Sequence, residues 1–195
     1  ISRRTVRALN KHKGVKAHLT RDSDTFLRLQ ERVNKAKDLN ADIFVSLHAD
    51  AHNSKQVRGG SVYVLSETAS EREAERISIL AKRGVEPISG LREAGRDEMV
   101  KNILIDLAQR DTMNNSSYLA RAIIDKMDEV TYMRRKDILF AGFKVLKAPD
   151  IPSILVELAY MSNPGEEKKL RQVSFQQRLA DAVTDGILDY IENVR

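Results

Sequence analysis

Cysteine is missing from all 195 residues, so no disulfide framework, iron–sulfur cluster or thiolate zinc site can be built from this chain. Its absence fits a periplasmic protein. Tryptophan is also missing, and aromatic residues make up only 5%. No apolar run approaches the roughly 18–20 residues that cross a bilayer. No signal peptide is visible, so an exported protein would be seen here in processed form. The excess of basic residues, +5 with a pI near 9.4, favours an anionic partner. Those residues are scattered among acids, with no basic block interleaved with aromatics, which argues against nucleic acid. Neither internal repeats nor low-complexity stretches occur.

What remains is an ordinary 22.1 kDa composition, 42% hydrophobic and 31% charged, sized for one domain with a proper core. Two segments share a design. Ile151 to Tyr160 opens on a proline turn, runs through branched apolar residues and closes on Ser162-Asn163-Pro164. Short apolar runs bounded by turn residues are what strands buried on both faces look like. Glu157 lies near the carboxyl end of that run. An unpaired polar group there costs roughly 2–7 kcal/mol, and a charge more. Glu157 is therefore either a structural acid bonded to a helix N-terminus or an arginine, or a general base at the edge of a site. The second segment, Ala41 to Asp50, is likewise an apolar run ending in an ionisable side chain, His48. If both runs are parallel strands of one sheet, His48 and Glu157 emerge at the same carboxyl edge, where open α/β sheets hold ligands. A histidine and a glutamate meeting there suggest a metal ligand with a nearby base.

Around these segments the chain alternates helices and strands. Residues 1–10 read as an amphipathic helix ending near Gly14, and Val15–Leu19 as a strand bearing His18. Phe26–Leu39 has helical spacing, and a loop, 51–58, precedes a strand entered through Gly59-Gly60. His48 and His52 stand four apart, which on a helix would pair them on a metal. The strand before and Asn53-Ser54 after place them on a loop, so His52 is read as solvated, and His12 and His18 as surface or strand-face residues. Glu67–Lys82 is a charged helix. Gly84–Asp97, broken by Pro87, Gly90 and Gly95, is the stretch least explained by folding. Two helices follow, Met99–Arg110 and Ser117–Val130, with Ser116 as N-cap of the second. A short strand at Phe143–Leu146, the Glu157 strand, a helix start at Pro164 with acids in its first turn, and a last helix over Phe175–Glu192 complete the chain. Alternating elements call for an α/β sheet with helices on both faces.

Four pieces in order resemble the zinc-dependent N-acetylmuramoyl-L-alanine amidases of bacterial cell walls (the amidase type 3 family). They are Leu19-Thr20-Arg21 with Asp24, Leu29 and Arg32; Val45 to Asp50; Gly60 to Leu65; and Pro152 to Glu157 continuing through Ser162-Asn163-Pro164. The resemblance covers nearly the whole chain. It implies a twisted, mixed, mostly parallel sheet flanked by helices on both faces (phosphorylase/hydrolase-like), with the family's first strand outside the chain as given. It implies Zn2+ as cofactor, His48 as a zinc ligand and Glu157 as the catalytic glutamate. The family's other two ligands, a histidine and a glutamate, are expected upstream of Ile1. Asp50 is then either a partner behind the ligand or a solvated loop acid. The implied reaction is hydrolysis of the amide between N-acetylmuramic acid and L-alanine in periplasmic peptidoglycan, for wall remodelling and daughter-cell separation. Two alternatives stay open: a carboxypeptidase-like zinc hydrolase and a metal-free wall-binding protein. Cell-separation members carry an autoinhibitory insertion that an activator protein displaces. The matching place here is about 68–115, where Glu86, Glu93 or Glu98 would contact the zinc.

Overall fold

The computed structural model describes residues 1–83 and 98–194. Its centre is a four-stranded sheet in the order β1-β4-β2-β3, built from β1 (Phe44–Asp50), β2 (Ser61–Leu65), β3 (Leu139–Ala141) and β4 (Ser153–Tyr160). β1 runs parallel to β4, β2 parallel to β3, and β2 antiparallel to β4. This is the mixed, mostly parallel sheet that the family resemblance implies. β4 is buried along its whole length, as an unbroken apolar run in a central strand should be.

Period-two alternation divides β4 between two cores. Ile154, Val156 and Leu158 pack with Leu9, Leu119, Ile123, Met127, Leu179 and Val183. These residues bring α1 (Ser2–Leu9), α4 (Glu98–Asp128) and α6 (Val173–Val194) onto one face. Leu155 points the other way, joining Phe44, Val33, Ala36, Val145 and Leu146. That second core comes from α2 (Leu29–Asp38) and a single 3-10 turn at Lys144–Leu146. A smaller cluster, Ile77 with Ile105, joins α3 (Glu67–Lys82) to the first half of α4. The short α5 (Pro164–Leu170) links β4 to α6; its N-cap Asn163 accepts from the N–H groups of Gly165 and Glu166, both at 3.1 Å.

Several elements differ from the sequence expectation, each for a local reason. Val15–Leu19 forms no strand; instead the Asn10 amide holds Ala17, donating to its carbonyl at 3.1 Å and accepting from its N–H at 2.7 Å. The helix expected from Phe26 starts at Leu29, because the Arg28 N–H donates to the Glu31 carboxylate at 2.7 Å and fixes the first turn there. Phe26 is left in solvent. Phe143–Leu146 contributes a 3-10 turn, and the strand in this region is β3, a few residues earlier. The two expected helices after residue 98 are one 31-residue helix. Asn114-Asn115-Ser116 does not break it, since Ser116 Oγ donates back to the Thr112 carbonyl at 2.7 Å, a bond that competes with a cap. The same hydroxyl accepts from the Ser153 N–H at 2.9 Å, seating α4 against the start of β4.

The glycines before β2 have a steric cause. Gly59 has φ +95°, and a Cβ there would sit 2.6 Å from the Tyr132 ring and 2.7 Å from the Tyr132 carbonyl. No helix among the described residues is long and apolar enough to cross a membrane.

Candidate active site

His48 and Glu157 are direct register partners on the parallel strands β1 and β4. Neighbours in register on adjacent strands share a face of the pleat, so both side chains lie on the side where Phe44 and Leu155 pack. The two apolar runs therefore do what their sequence suggested, bringing an imidazole and a carboxyl group together at one sheet edge.

Glu157 is only 6% exposed, and its Oε2 has no hydrogen-bond partner among the described residues. Burial pushes the carboxyl up from an ordinary 4.5 to about 7; the nearby Asp50 charge adds to the rise, and the Asp50 backbone N–H opposes it. Loss of hydration disfavours the charged form, which is the usual way a glutamate becomes a base near neutral pH.

His48 is half-buried, and burial holds its pKa below the ordinary range, helped by the Arg32 guanidinium and opposed by Asp50. The neutral ring is the form that binds metals. Its Nε2 lies 2.9 Å from Ser46 Oγ, two residues back on the same face. Asp50 makes no hydrogen bond to His48; its Oδ1 accepts from the Ala51 N–H at 2.7 Å. It acts on both site residues through its charge, an exposed acid at the strand end.

His52 is exposed, as read from the sequence, and the loop after β1 is also tied down by contacts. The His52 N–H donates to Ser162 Oγ at 2.9 Å, and the ring meets Tyr160 edge-on at 6.5 Å. Asn163 Nδ2 donates to the Lys55 carbonyl at 2.8 Å. These bonds tie the loop to the Ser162-Asn163-Pro164 turn. A cleft of about 950 Å³ runs beside the outer edge of β1, with Tyr190, Val15, Ala36 and His48 in its walls. It touches His48 and not Glu157.

Glu86 and Glu93 lie outside the described residues. Glu98 begins α4. Sequence reading missed Glu166: it was an acid in a helix's first turn, whereas the structure buries it and bonds both of its carboxylate oxygens. Its only sequence signal was its place after Asn163-Pro164.

The chemistry of the donor set fits one side of a zinc site. A neutral imidazole and a buried carboxyl with a free oxygen stand side by side, as metal-assisted hydrolysis requires. Among the described residues no group of three His, Cys, Asp or Glu is placed to hold a metal, so His48 would be one ligand of a set drawn also from elsewhere.

An open, mixed α/β sheet with a buried glutamate beside a histidine at its carboxyl edge is an arrangement suited to hydrolytic chemistry. Comparison with known proteins narrows it. The family model described as N-acetylmuramoyl-L-alanine amidase matches residues 1–189, and the chain belongs to that family. Over 190 residues it is 38% identical to N-acetylmuramoyl-L-alanine amidase AmiC of Escherichia coli O6:H1, covering 97% of this chain and 45% of that protein. It is also 38% identical over 188 residues to the amidase AmiA of Salmonella typhimurium, covering 96% of this chain and 65% of the relative. The chain thus spans about half to two-thirds of these curated relatives. The structure of amidase AmiC2 from Nostoc punctiforme matches with a TM-score of 0.67 and 26% identity, over 98% of this chain and 80% of that one.

Proposed function

We propose that this chain is the catalytic part of a zinc-dependent amidase that cuts peptidoglycan between N-acetylmuramic acid and L-alanine. It would work in the periplasm, in wall remodelling and daughter-cell separation. Family membership supports the substrate, and the surplus of basic residues suits an anionic wall polymer. The observation that carries the reaction is Glu157: a carboxyl pushed to about 7 by burial, with one unpaired oxygen, in register with a neutral histidine.

The steps at this chain's own atoms are few. The ionised Glu157 carboxylate takes a proton from the attacking water as its oxygen bonds to the amide carbon. The C–N bond then breaks, and the proton passes from Glu157 to the departing alanine nitrogen, leaving a lactyl carboxyl group and an amine between which the second water proton is shared out as carboxylate and ammonium. Such positioned proton transfer is worth roughly 10²–10⁴ in rate. His48 would hold the metal through one ring nitrogen. Zinc, when bound, supplies Lewis acidity that polarises the carbonyl and acidifies water.

Glu157→Gln in the full protein is expected to keep the fold and the metal content while losing at least 100-fold in peptidoglycan hydrolysis. Undiminished turnover would overturn the reading.

Control is part of the same proposal. The segment at about 68–115 would act as a brake in a two-state equilibrium, with Glu86, Glu93 or Glu98 contacting the metal in the closed state. An activator protein that binds the open form better would release it. Support for a partner comes from the start of α4, where Met99, Ile103 and Leu107 are 72%, 59% and 61% exposed at helical spacing.

A further inference from the structure

Glu157 occupies the point where the sheet forks. It is paired with Ser61 of β2, and that is the last rung joining β4 to β2 at this end. Beyond it β2's lead-in turns toward residue 133, with Gly60 bridged to Met133. β4 continues along β1, across a register shift between His48 and Asp50, until Tyr160 pairs with Asp50. Two backbone N–H groups, those of Gly59 and Tyr160, are thereby stranded on either side of the fork, both in buried residues. A buried N–H without an acceptor is costly.

Glu166 answers both. Its Oε1 accepts from the Gly59 N–H at 2.8 Å and its Oε2 from the Tyr160 N–H at 2.7 Å. The carboxylate is 6% exposed, and no lysine or arginine pairs with it among the described ion pairs. Charge-assisted bonds of this kind are shorter and stronger than neutral ones. Its own N–H is held by Asn163 Oδ1, which fixes where the carboxylate starts. One side chain therefore sets the spacing between the β2 lead-in and the end of β4, three residues past Glu157 and next to the strand that carries His48.

We propose that Glu166 is a positioning residue for the amidase reaction: its carboxylate clamps the fork at Gly59 and Tyr160 and so holds Glu157 in register with His48. This rests on the reading of Glu157 as the base. Glutamine is close to isosteric but turns an amide NH2 toward one of the two N–H donors, so it can keep only one bond. Loosening a reacting group by an ångström can cost on the order of 100-fold in rate.

The test uses the full protein with a soluble muramyl peptide as substrate, comparing the parent, Glu166→Gln, Glu166→Asp, Glu157→Gln and the Glu157→Gln/Glu166→Gln double variant. Folded fraction is taken from circular dichroism, and the residual rate of Glu157→Gln is read at high enzyme concentration. Glu166→Gln is expected to lower kcat per folded molecule about 10- to 100-fold with KM within about twofold. Aspartate, a shorter carboxylate, should recover part of the loss. In the Glu157→Gln background the same change should cost nothing further, the non-additivity expected of residues acting as one unit. Unchanged kcat in folded Glu166→Gln, or an equal second loss in the double variant, would overturn the proposal. So would a Glu166→Gln chain that fails to fold while Glu166→Asp folds with parental kcat, since the carboxylate would then serve folding alone. Full activity in Glu157→Gln would instead remove the reading beneath it.

Discussion

A carboxyl group placed like that of Glu157 is held against its own charge, and the stability of the fold should record it. Its pKa is raised from 4.5 to about 7 by burial and by Asp50. Between those two values the folded state binds more protons than the unfolded one, so stability falls as pH rises through that window. The favourable term is complete below about pH 4.5 and gone above about 7. At about 1.4 kcal/mol per unit it amounts to at most about 3.5 kcal/mol. Glu157→Gln cannot ionise. In metal-free protein its Tm relative to the parent should therefore rise from pH 4.5 to 7 and then level off, and a difference independent of pH would refute the burial argument. His48 gives the matching metal prediction: the intact protein should carry about one zinc by elemental analysis, and His48→Ala should lose it. Both residues were legible in the sequence because an apolar run with one ionisable side chain near its end has few structural explanations. Glu166 was not, because a helix-start acid looks the same whether it faces water or two stranded amides. Asp50 stayed ambiguous for a similar reason, since an electrostatic neighbour leaves no pattern.

At the scale of elements, what failed to show in the sequence was long-range compensation. Asn114-Asn115-Ser116 reads as a break on local preference, yet the Ser116 and Ser117 hydroxyls donate to the carbonyls of Thr112 and Met113 within the helix. The flanking turns are held by packing of Leu119, Ile123 and Met127 against β4 and α6. Val15–Leu19 has strand-like alternation, but alternation makes a strand only where a neighbour offers its edge, and Asn10 takes Ala17 first. The α4–α6 contact shows how tight such packing is. Gly186 of α6 lies so close to α4 that a Cβ would stand 2.8 Å from both Cα and Cγ1 of Ile123. Helix propensity alone favours alanine over glycine by about 1 kcal/mol. Overpacking against backbone typically costs about 1–3 kcal/mol, and the second term should win. Gly186→Ala is thus expected to lower Tm by up to about 8 °C in calorimetry, at roughly 2–4 °C per kcal/mol for a chain of this size. An increase would mean that the two helices can separate freely.

For the whole molecule, the proposed brake has to be joined to the sheet that carries His48 and Glu157. The limits read from the sequence, about 68–115, cut through α4, which continues without a break from Glu98 to Asp128. Its second half supplies Leu119, Ile123, Ile124 and Met127 to the main core, and its first half packs Ile105 on Ile77 of α3. Removing 68–115 would take away the Ile77–Ile105 cluster and the turn that carries Ser116, the anchor of β4 at Ser153. Such a deletion would test folding before it tested control. Substitution keeps the scaffold: changing Glu86, Glu93 and Glu98 together to glutamine removes the candidate metal contacts and leaves helix propensity nearly unchanged. If the closed state inhibits 100-fold, it is favoured by roughly 2.7 kcal/mol, and the triple variant should forfeit much of that. Basal hydrolysis of purified peptidoglycan should rise by about 10-fold or more, and the stimulation by an activator should shrink by the same factor, because both report one equilibrium. A triple variant with parental basal rate and full stimulation would show that these carboxylates hold no closed state.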